Sequence, residues 1–350
     1  MSSSNKLTNF IKIGTAGKDD NNKRTDRIIR TIIQSLPLGS IYKEIRHGRI
    51  RINGEKTDCG NRINTGDSVY MHNSLAKIVK NDIEKIISKN ENKTNNFELK
   101  KLKLEILFEN DSFIAINKPS GILTHAGLKT KKNKQTLDDV IKEKFINESN
   151  KSLAFSPAPL HRLDKESSGI VFFSKSIEGA RIFTSFLREK KFIKKYITVL
   201  VGHLPKSCTW KDVLLSEDKK SSGAADKEAI THIKPLLYSA APGATSTLAL
   251  VEIETGRHRQ IRKQCSMHGF PLLGDKKYGS SASILKNITG KHENNTSFLL
   301  HFWKIDLKDK EEREKLGFNT ITAAPPDLFI ETISALFGKE NVDKIFEIYP

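Results

Sequence analysis

The amino-acid sequence predicts an α+β fold built on a mixed, largely antiparallel sheet, preceded by a small α/β domain. From about residue 101 onward, strand-like and helix-like segments mix without the regular strand-helix repeat of a parallel α/β protein. A shorter basic segment before it has its own helix, strand and turn signals. We therefore divide the chain into a tail expected to be disordered (1–22), the small domain (23–76), a linker (77–100) and the main domain (101–350).

The small domain is expected to contain two helices followed by short strands. In TDRIIRTIIQSL the isoleucines recur at helical spacing, which predicts an amphipathic helix. Ser40 is the expected N-cap of a second short helix that ends at Gly48. Apolar residues and arginines then alternate up to Asn53 and Gly54, a pattern typical of a strand closed by a tight hairpin.

The second helix and the first strand of the small domain carry clustered basic residues. The members of this cluster are Lys43, Arg46, His47, Arg49 and Arg51. Such a patch is expected to bind structured RNA through its phosphates, and the alternative is a solvated charged face.

The main domain shows the following pattern of elements. LEILFEN and SFIAINKPSG predict successive strands, and TLDDVIKEKFI predicts a helix with one apolar face. Further strands are expected at GIVFFSKS, KKYITVLVG, STLALVEIETG and SFLLHFWKIDL, with helices at IEGARIFTSFLREK and RHRQIRKQCSMHG. Neither a Walker loop nor a dinucleotide glycine fingerprint occurs, so nucleotide chemistry of those kinds is not indicated.

Composition narrows the partner and the location. The 350 residues include 59 Lys and Arg against 41 Asp and Glu, and the net charge of +18 favours a polyanionic partner. Nucleic acid is the first candidate and a membrane surface the alternative. No apolar window of about 18 residues and no signal-peptide core occur, so we expect a cytoplasmic protein that does not enter the membrane.

The cysteines predict neither a disulfide framework nor a zinc site. Cys59, Cys208 and Cys265 are far apart in the sequence and form no Cys-x-x-Cys pair. His258 and His268 flank Cys265, but their spacing matches no standard metal site. We expect no bound metal.

Three motifs carry groups suited to chemistry, and each also has an ordinary structural interpretation. HRLDKESSGI places Arg162 and Asp164 on one face if it is extended, although a turn cap with a surface ion pair accounts for both. KKYITVLVG places Tyr196 in an apolar strand, as in many protein cores. The arginines of RHRQIRKQCSMHG suit a solvated or phosphate-binding helix face.

Together and in this order, five motifs resemble those of the RluA-type pseudouridine synthases. They are NKPSGILTH (117–125), HRLDKESSGI (161–170), KKYITVLVG (194–202), TGRHRQIR (255–262) and GFPLLGDKKYG (269–279). The likeness covers roughly residues 101–345, and the small domain resembles the S4-type RNA-binding domain. The combination is similar to the ribosomal large-subunit branch of that family, the C and D synthases.

The resemblance implies a role for each matching residue. Asp164 corresponds to the catalytic carboxylate, which acts at C1′ of a flipped-out uridine so that uracil detaches through N1 and reattaches through C5. An ionised carboxylate suits this step because breaking the glycosidic bond develops positive charge on the sugar. Arg262 corresponds to its salt-bridge partner, and Tyr196 to the tyrosine that stacks on the uracil. Substrate contacts are implied for Arg162, which fills the gap left by the flipped base, and for His161 and Ile261.

The resemblance further implies an enzyme that needs no cofactor or metal and acts on large-subunit ribosomal RNA, and we expect a monomer. A noncatalytic RNA-binding ribosome-assembly factor and a synthase acting on transfer RNA are the alternatives. Two positions depart from the family pattern. Ser167 replaces the usual threonine, and His258 with Arg259 replaces the commoner Thr-His pair before the glutamine.

Overall fold

The computed structural model describes most of the chain. The described residues are 7–75, 104–126, 136–146, 152–153, 155–215, 226–239, 245–279, 298–309 and 312–348. They divide into two compact units, one formed by residues 1–103, 125–158 and 174–178, the other by residues 104–124, 159–173 and 179–350. The linker predicted over 77–100 lies outside the described residues.

The first unit consists of short strands and helices around an isoleucine-rich core. Its elements are β1 (Phe10–Thr15), β2 (Lys23–Arg24), α1 (Thr25–Ile32), α2 (Leu38–Arg46), β3 (Ile50–Ile52), β4 (Glu55–Lys56), β5 (Arg62–Ile63), β6 (Ser68–His72) and α3 (Leu137–Ile146). The strands form an antiparallel sheet in the order β1-β6-β3-β4 and a two-stranded ladder of β2 with β5. Ile28 and Ile29 of α1 pack with Ile41 and Ile45 of α2, as the helical spacing predicts.

Two local expectations for the first unit differ from the structure. Residues 10–15, placed by the sequence in a disordered tail, form a strand because they pair with β6 and Ile13 packs on the core. The buried carboxylate of Asp20 then accepts hydrogen bonds from the backbone N–H groups of Gly17 and Leu153 at 2.9 and 2.6 Å. Helix α2 begins at Leu38, so its N-cap is Pro37 rather than Ser40.

The second unit is dominated by one large sheet, which confirms the predicted mixed and largely antiparallel class. Its strands are β7 (Glu105–Glu109), β8 (Phe113–Lys118), β9 (Ala158–Pro159), β10 (Ser168–Ser174), β11 (Phe192–Val201), β12 (Cys208–Leu214), β13 (Lys227–Ser239), β14 (Ser246–Ile253), β15 (Leu300–Leu307) and β16 (Thr320–Thr322). The order is β12-β13-β14-β11-β15-β10-β8-β7, with β16 beside β15 and β9 beside β10. Strand β10 runs parallel to β15, whereas β11 is antiparallel to both β14 and β15.

The helices of the second unit lie between its strands in the sequence or after the last of them, and α7 packs on the sheet. They are α4 (Ile177–Arg188), α5 (Gln260–Met267), α6 (Arg313–Leu316), α7 (Asp327–Phe337) and α8 (Lys339–Ile348). Phe329 and Ile333 of α7 pack against Ile197 and Val199 of β11, so this side of the sheet is an apolar core. No helix in the described part of the chain is long and apolar enough to cross a membrane.

Gly169 permits the close approach of β10 to β15. Its φ is +109°, and a Cβ there would overlap the backbone of Phe302. Only glycine combines that backbone conformation with that contact, so the Ser-Ser-Gly sequence after Asp164 has a structural reason. The result is that the loop carrying Asp164 leads directly into the centre of the sheet.

Candidate active site

Asp164 lies in the loop that precedes β10, and its side chain is 16% exposed. The backbone N–H of Ser167 donates to the Asp164 carbonyl at 3.2 Å and closes the turn. Leu163, one residue earlier, is buried, so the loop is anchored in the core while the carboxylate keeps access to solvent. A partly accessible carboxylate on a fixed loop is suited to act on a bound substrate.

A second loop fixes the backbone on both sides of Asp164. The buried ammonium of Lys118, at the end of β8, donates to the carbonyls of Pro119, Ile122 and Lys165 at 2.9, 2.8 and 3.0 Å. The Thr124 hydroxyl bonds with the Leu163 backbone at 3.3 Å. Burial lowers the pKa of Lys118 to about 7, against the opposing negative charges of nearby carboxylates. Because three carbonyls accept from one lysine, the two loops form a single unit.

Arg262 links Asp164 to a second, deeper carboxylate. Its Nη1 donates to Asp164 Oδ2 at 2.7 Å. On its other edge, Nε and Nη2 donate to the two oxygens of Asp275 at 2.6 and 2.8 Å. Asp275 is fully buried and Arg262 is 7% exposed, so both charges are compensated inside the protein, as buried charges require.

The surroundings of Arg262 keep it charged and immobile. Its guanidinium lies over the rings of Phe298 and Tyr278, with 4.0 and 5.1 Å from Cζ to the ring centroids. Burial acts to lower the pKa of Arg262, but hydrogen bonds to Asp275 and Asp164 outweigh it and raise the pKa above its ordinary value. A permanent positive charge therefore faces the Asp164 carboxylate.

Helix α5, which carries Arg262, is held in place by two buried glutamines. Gln260 Oε1 accepts from the hydroxyl of Thr255 and the N–H of Arg257 at 2.8 and 3.0 Å. Gln264 donates to Asp212 Oδ2 at 2.7 Å and accepts from the Thr231 hydroxyl at 2.6 Å. These bonds connect the helix to β12, to β13 and to the turn at residues 255–257, so they fix the position of the helix that carries Arg262.

Tyr196 lies in the middle of β11 and stacks on Phe302. The two rings are 4.4 Å apart between centroids and 14° from parallel. Burial, and next to it the negative charge of Asp164, raise the pKa of Tyr196 well above its ordinary value. The phenol is protonated at neutral pH, and the negative charge of Asp164 is close enough to act on it.

Arg259 contributes a second cation near the carboxylate. It occupies the N-cap of α5 with a left-handed φ of +55°. This backbone conformation brings its Nε to 3.8 Å from Asp164 Oδ2. Its position is one where this sequence departs from the family pattern.

The three residues expected to contact the substrate differ in exposure and in their neighbours. Arg162 is exposed, two residues before Asp164. Ile261 is 5% exposed at the start of α5, next to Arg262. The ring of His161 stacks parallel to Phe183 and its Nε2 accepts the N–H of Phe172 at 3.2 Å. Burial lowers the pKa of His161 to about 3, so this imidazole is neutral and belongs to an aromatic cluster.

The expected RNA-binding residues of the first unit also differ in exposure and in their partners. Lys43 and Arg46 are exposed on α2. Arg49 forms an ion pair with Glu44 at 2.9 Å, and Arg51 lies over the ring of Phe10 at 4.3 Å. Lys43 and Arg46 are thus the members most able to meet an RNA phosphate, whereas Arg51 has a structural role in the sheet.

Among the described residues, no group of three His, Cys, Asp or Glu side chains is arranged to hold a metal ion. His268 stacks on Trp210 at 4.4 Å and pairs with Asp212 at 3.1 Å, so its ring has partners other than Cys265.

Sequence reasoning assigned no individual role to Asp275, Lys118, Gln260 or Gln264. The first three lie inside motifs that carried the family resemblance. The signal that was available is chemical: a charged residue in an apolar, glycine-rich motif must be paired once the chain folds.

Comparison with known proteins gives consistent results. Residues 112–267 match the protein-family model described as RNA pseudouridylate synthase. The chain is 29% identical to ribosomal large subunit pseudouridine synthase C of Rickettsia bellii, with 73% of this chain and 83% of the relative covered. It is 28% identical to the enzyme of the same name from Buchnera aphidicola, over 93% and 96% of the two chains.

A solved structure shares the fold. Human RNA pseudouridylate synthase domain containing 4 superposes with a TM-score of 0.52 at 21% identity, covering 70% of this chain and 97% of the human chain.

Proposed function

We propose that this chain is an RNA pseudouridylate synthase that converts specific uridines of large-subunit ribosomal RNA to pseudouridine, with Asp164 as its catalytic carboxylate. The assignment of residues depends on one observation. The buried Arg262 donates hydrogen bonds to Asp275 on one edge and to Asp164 on the other, at 2.6 to 2.8 Å. The names of its relatives supply the ribosomal substrate.

The proposed reaction is an isomerisation, so every atom of the uridine is kept. The bond from C1′ to N1 breaks, a bond from C1′ to C5 forms, the proton on C5 leaves and N1 gains a proton. Asp164 acts at C1′, where the breaking bond develops positive charge, either by direct attack or by stabilising that charge. Arg262 holds the carboxylate in one orientation for this step, and Asp275 holds Arg262.

Tyr196 is proposed to hold the uracil by stacking while it turns. The phenol is protonated at neutral pH, as a tyrosine ordinarily is, and its raised pKa strengthens that preference, so it enters the reaction as a neutral aromatic surface and hydrogen-bond donor. Arg162, exposed beside the reacting loop, would occupy the space left in the RNA by the flipped base.

The first unit is proposed to supply affinity through an S4-like RNA-binding surface. Lys43 and Arg46 are exposed on α2 and are suited to phosphate contacts, which position RNA without reading its sequence. We propose that the enzyme works as a monomer, without a cofactor, in the cytoplasm.

A noncatalytic assembly factor fits the site less well. Such a protein gains nothing from a largely buried carboxylate tied to a buried arginine, because the arrangement costs desolvation and adds no RNA affinity. A synthase acting on transfer RNA would use the same site, and the names of the relatives favour ribosomal RNA.

Release of tritium from transcripts labelled at C5 of uridine tests the proposed reaction, because the C5 proton must leave when C5 bonds to C1′. We expect release by the wild-type protein with large-subunit ribosomal RNA and none with Asp164→Asn, although that variant still binds the RNA. Asp327→Asn, the same change at an exposed position on α7, serves as the matched control and should match the wild type. Equal release by the wild type and Asp164→Asn would remove Asp164 from the mechanism.

A further inference from the structure

Lys194 differs from the other lysines of the second unit in its surroundings. It lies on β11 two residues before Tyr196, so both side chains are on the same face of the sheet, about 7 Å apart along the strand. Its direct neighbours across the ladder are Ile253 on β14 and Ile305 on β15. The half-buried lysine stem is thus enclosed by apolar side chains.

The charges around Lys194 have the same sign as its own. Among the described residues it has no carboxylate partner, and the charged groups that act on it are Lys308, Lys190 and Arg257. Of these, Lys190 pairs with Glu254 at 3.4 Å, while Arg257 donates its Nε to a backbone carbonyl at 2.9 Å. Burial, and next to it these cations, lower the pKa of Lys194 to about 8, so it is mostly protonated at neutral pH.

This arrangement disfavours folding. A cation taken out of water beside other cations loses solvation and gains no Coulomb energy, so an apolar side chain would fit the position better. Unfavourable charge of this kind is typical of a site whose compensating charge arrives with the ligand. The neighbouring residue Lys195, on the opposite face, shows the usual solution, an ion pair with Asp306 at 2.9 Å.

We propose that Lys194, with Lys190, Arg257 and Lys308 around it, binds a phosphate of the RNA backbone next to the target uridine. The position supports this assignment: Lys194 is on the same face as Tyr196, about 7 Å away along the strand, so its ammonium would lie near a nucleotide stacked on the Tyr196 ring. The ligand chemistry is a phosphodiester monoanion, which supplies the negative charge that Lys194 lacks. This inference rests on the proposed function.

The test compares Lys194→Met, which keeps the stem and removes the charge, with Lys195→Met as the matched control on the opposite face. Binding of an unmodified large-subunit ribosomal RNA transcript is measured at several KCl concentrations, and pseudouridine formation is measured in single turnover at saturating RNA. Each lost phosphate contact should reduce the slope of log affinity against log salt by about 0.7 to 0.9. We expect that reduction for Lys194→Met, with affinity about tenfold lower at low salt, a near wild-type rate constant at saturation, and no change in slope for Lys195→Met.

The folding of the variants provides an independent readout. Lys194→Met should melt at the same temperature as the wild type or higher, because it removes an uncompensated cation. Lys308→Met, at an exposed position, alters the same cluster without entering the core and should lower affinity in the same direction. An unchanged salt slope in both Lys194→Met and Lys308→Met overturns the inference. If the wild type binds RNA but converts no uridine, the proposed function fails instead, and the salt slopes still decide whether this cluster binds phosphate.

Discussion

Replacing Asp275 by asparagine removes one charge from the contact series between Asp275, Arg262 and Asp164 and keeps the shape of the side chain. In the wild type, Asp275 accepts both Nε and Nη2 of Arg262 and also the backbone N–H groups of Lys277 and Tyr278 at 3.1 and 3.2 Å. The asparagine oxygen can replace only one carboxylate oxygen. Its amide N–H₂ group then faces an N–H of Arg262, donor against donor.

The expected size of the effect follows from burial. Removing one partner of a buried ion pair costs about 3 to 5 kcal/mol of unfolding free energy. We expect about 3 kcal/mol, at the lower end of that range, because Asp164 still accepts from Arg262 at 2.7 Å. A displacement of the guanidinium by about 1 Å would lower the single-turnover rate by about 100-fold, so a decrease between tenfold and 100-fold is expected.

Urea denaturation gives the stability, and single-turnover tritium release at saturating RNA gives the rate. Asp212→Asn is the matched control: its carboxylate accepts from Gln264 on the same helix at 2.7 Å but does not contact Arg262. That control should lose about 1 to 2 kcal/mol, because it weakens the contacts of Asp212 with both Gln264 and His268, and should keep its rate within about threefold. A rate for Asp275→Asn within threefold of the wild type would refute the role of Asp275 in holding the site.

Three further outcomes are expected. Tyr196→Phe should leave the unfolding free energy nearly unchanged while lowering the rate of pseudouridine formation, because stacking on Phe302 is kept and only the hydroxyl is lost. Urea denaturation measures the first quantity and tritium release the second. An unchanged rate would show that the hydroxyl takes no part in the reaction. The pKa of Lys118 is about 7 in the folded chain against an ordinary 10.5, so the unfolded chain binds the extra proton and unfolding free energy should rise with pH between about 7 and 10.5. Urea titrations should show a flatter pH dependence in Lys118→Met, and equal slopes in the two proteins would contradict the buried position of that ammonium. Gly169→Ala should cost at least about 2 kcal/mol because of its positive φ and the overlap with β15, whereas Gly256→Ala, which has open space around it, should stay within about 1 kcal/mol of the wild type.

The elements of the second unit follow closely from the sequence. The apolar run in KKYITVLVG and the alternating apolar residues in STLALVEIETG predict the strands that become β11 and β14, which pair between Lys194–Val201 and Ser246–Ile253. The sequence predicts these strands well because most residues of β11 and β14 are buried. Burial favours apolar residues at those positions, and the apolar residues form the pattern. The strand at residues 10–15 escaped prediction, since its stability comes from pairing with β6 rather than from its own short pattern.

The residues of the candidate site also divide into those that the sequence predicts and those that only the fold reveals. Asp164, Tyr196 and Arg262 were identified through motif resemblance, and the ion pair expected between Asp164 and Arg262 is present at 2.7 Å. The supporting role of Asp275 was not predicted, because the contact that defines it depends on how the loop after α5 folds back on the helix. Likewise, the sequence around Lys194 does not distinguish it from Lys195. The ion pair that Lys195 forms with Asp306 arises only when the strands assemble.

Site-resolved mapping of pseudouridine in full-length ribosomal and transfer RNA transcripts tests the central claim most directly. Transcripts made without modified bases are incubated with the wild-type protein or with Asp164→Asn, and each uridine is scored. Conversion at one or a few large-subunit positions by the wild type, absent with Asp164→Asn, is the predicted result. Conversion confined to transfer RNA would contradict the proposed substrate, and RNA binding without conversion of any uridine would contradict the enzyme itself.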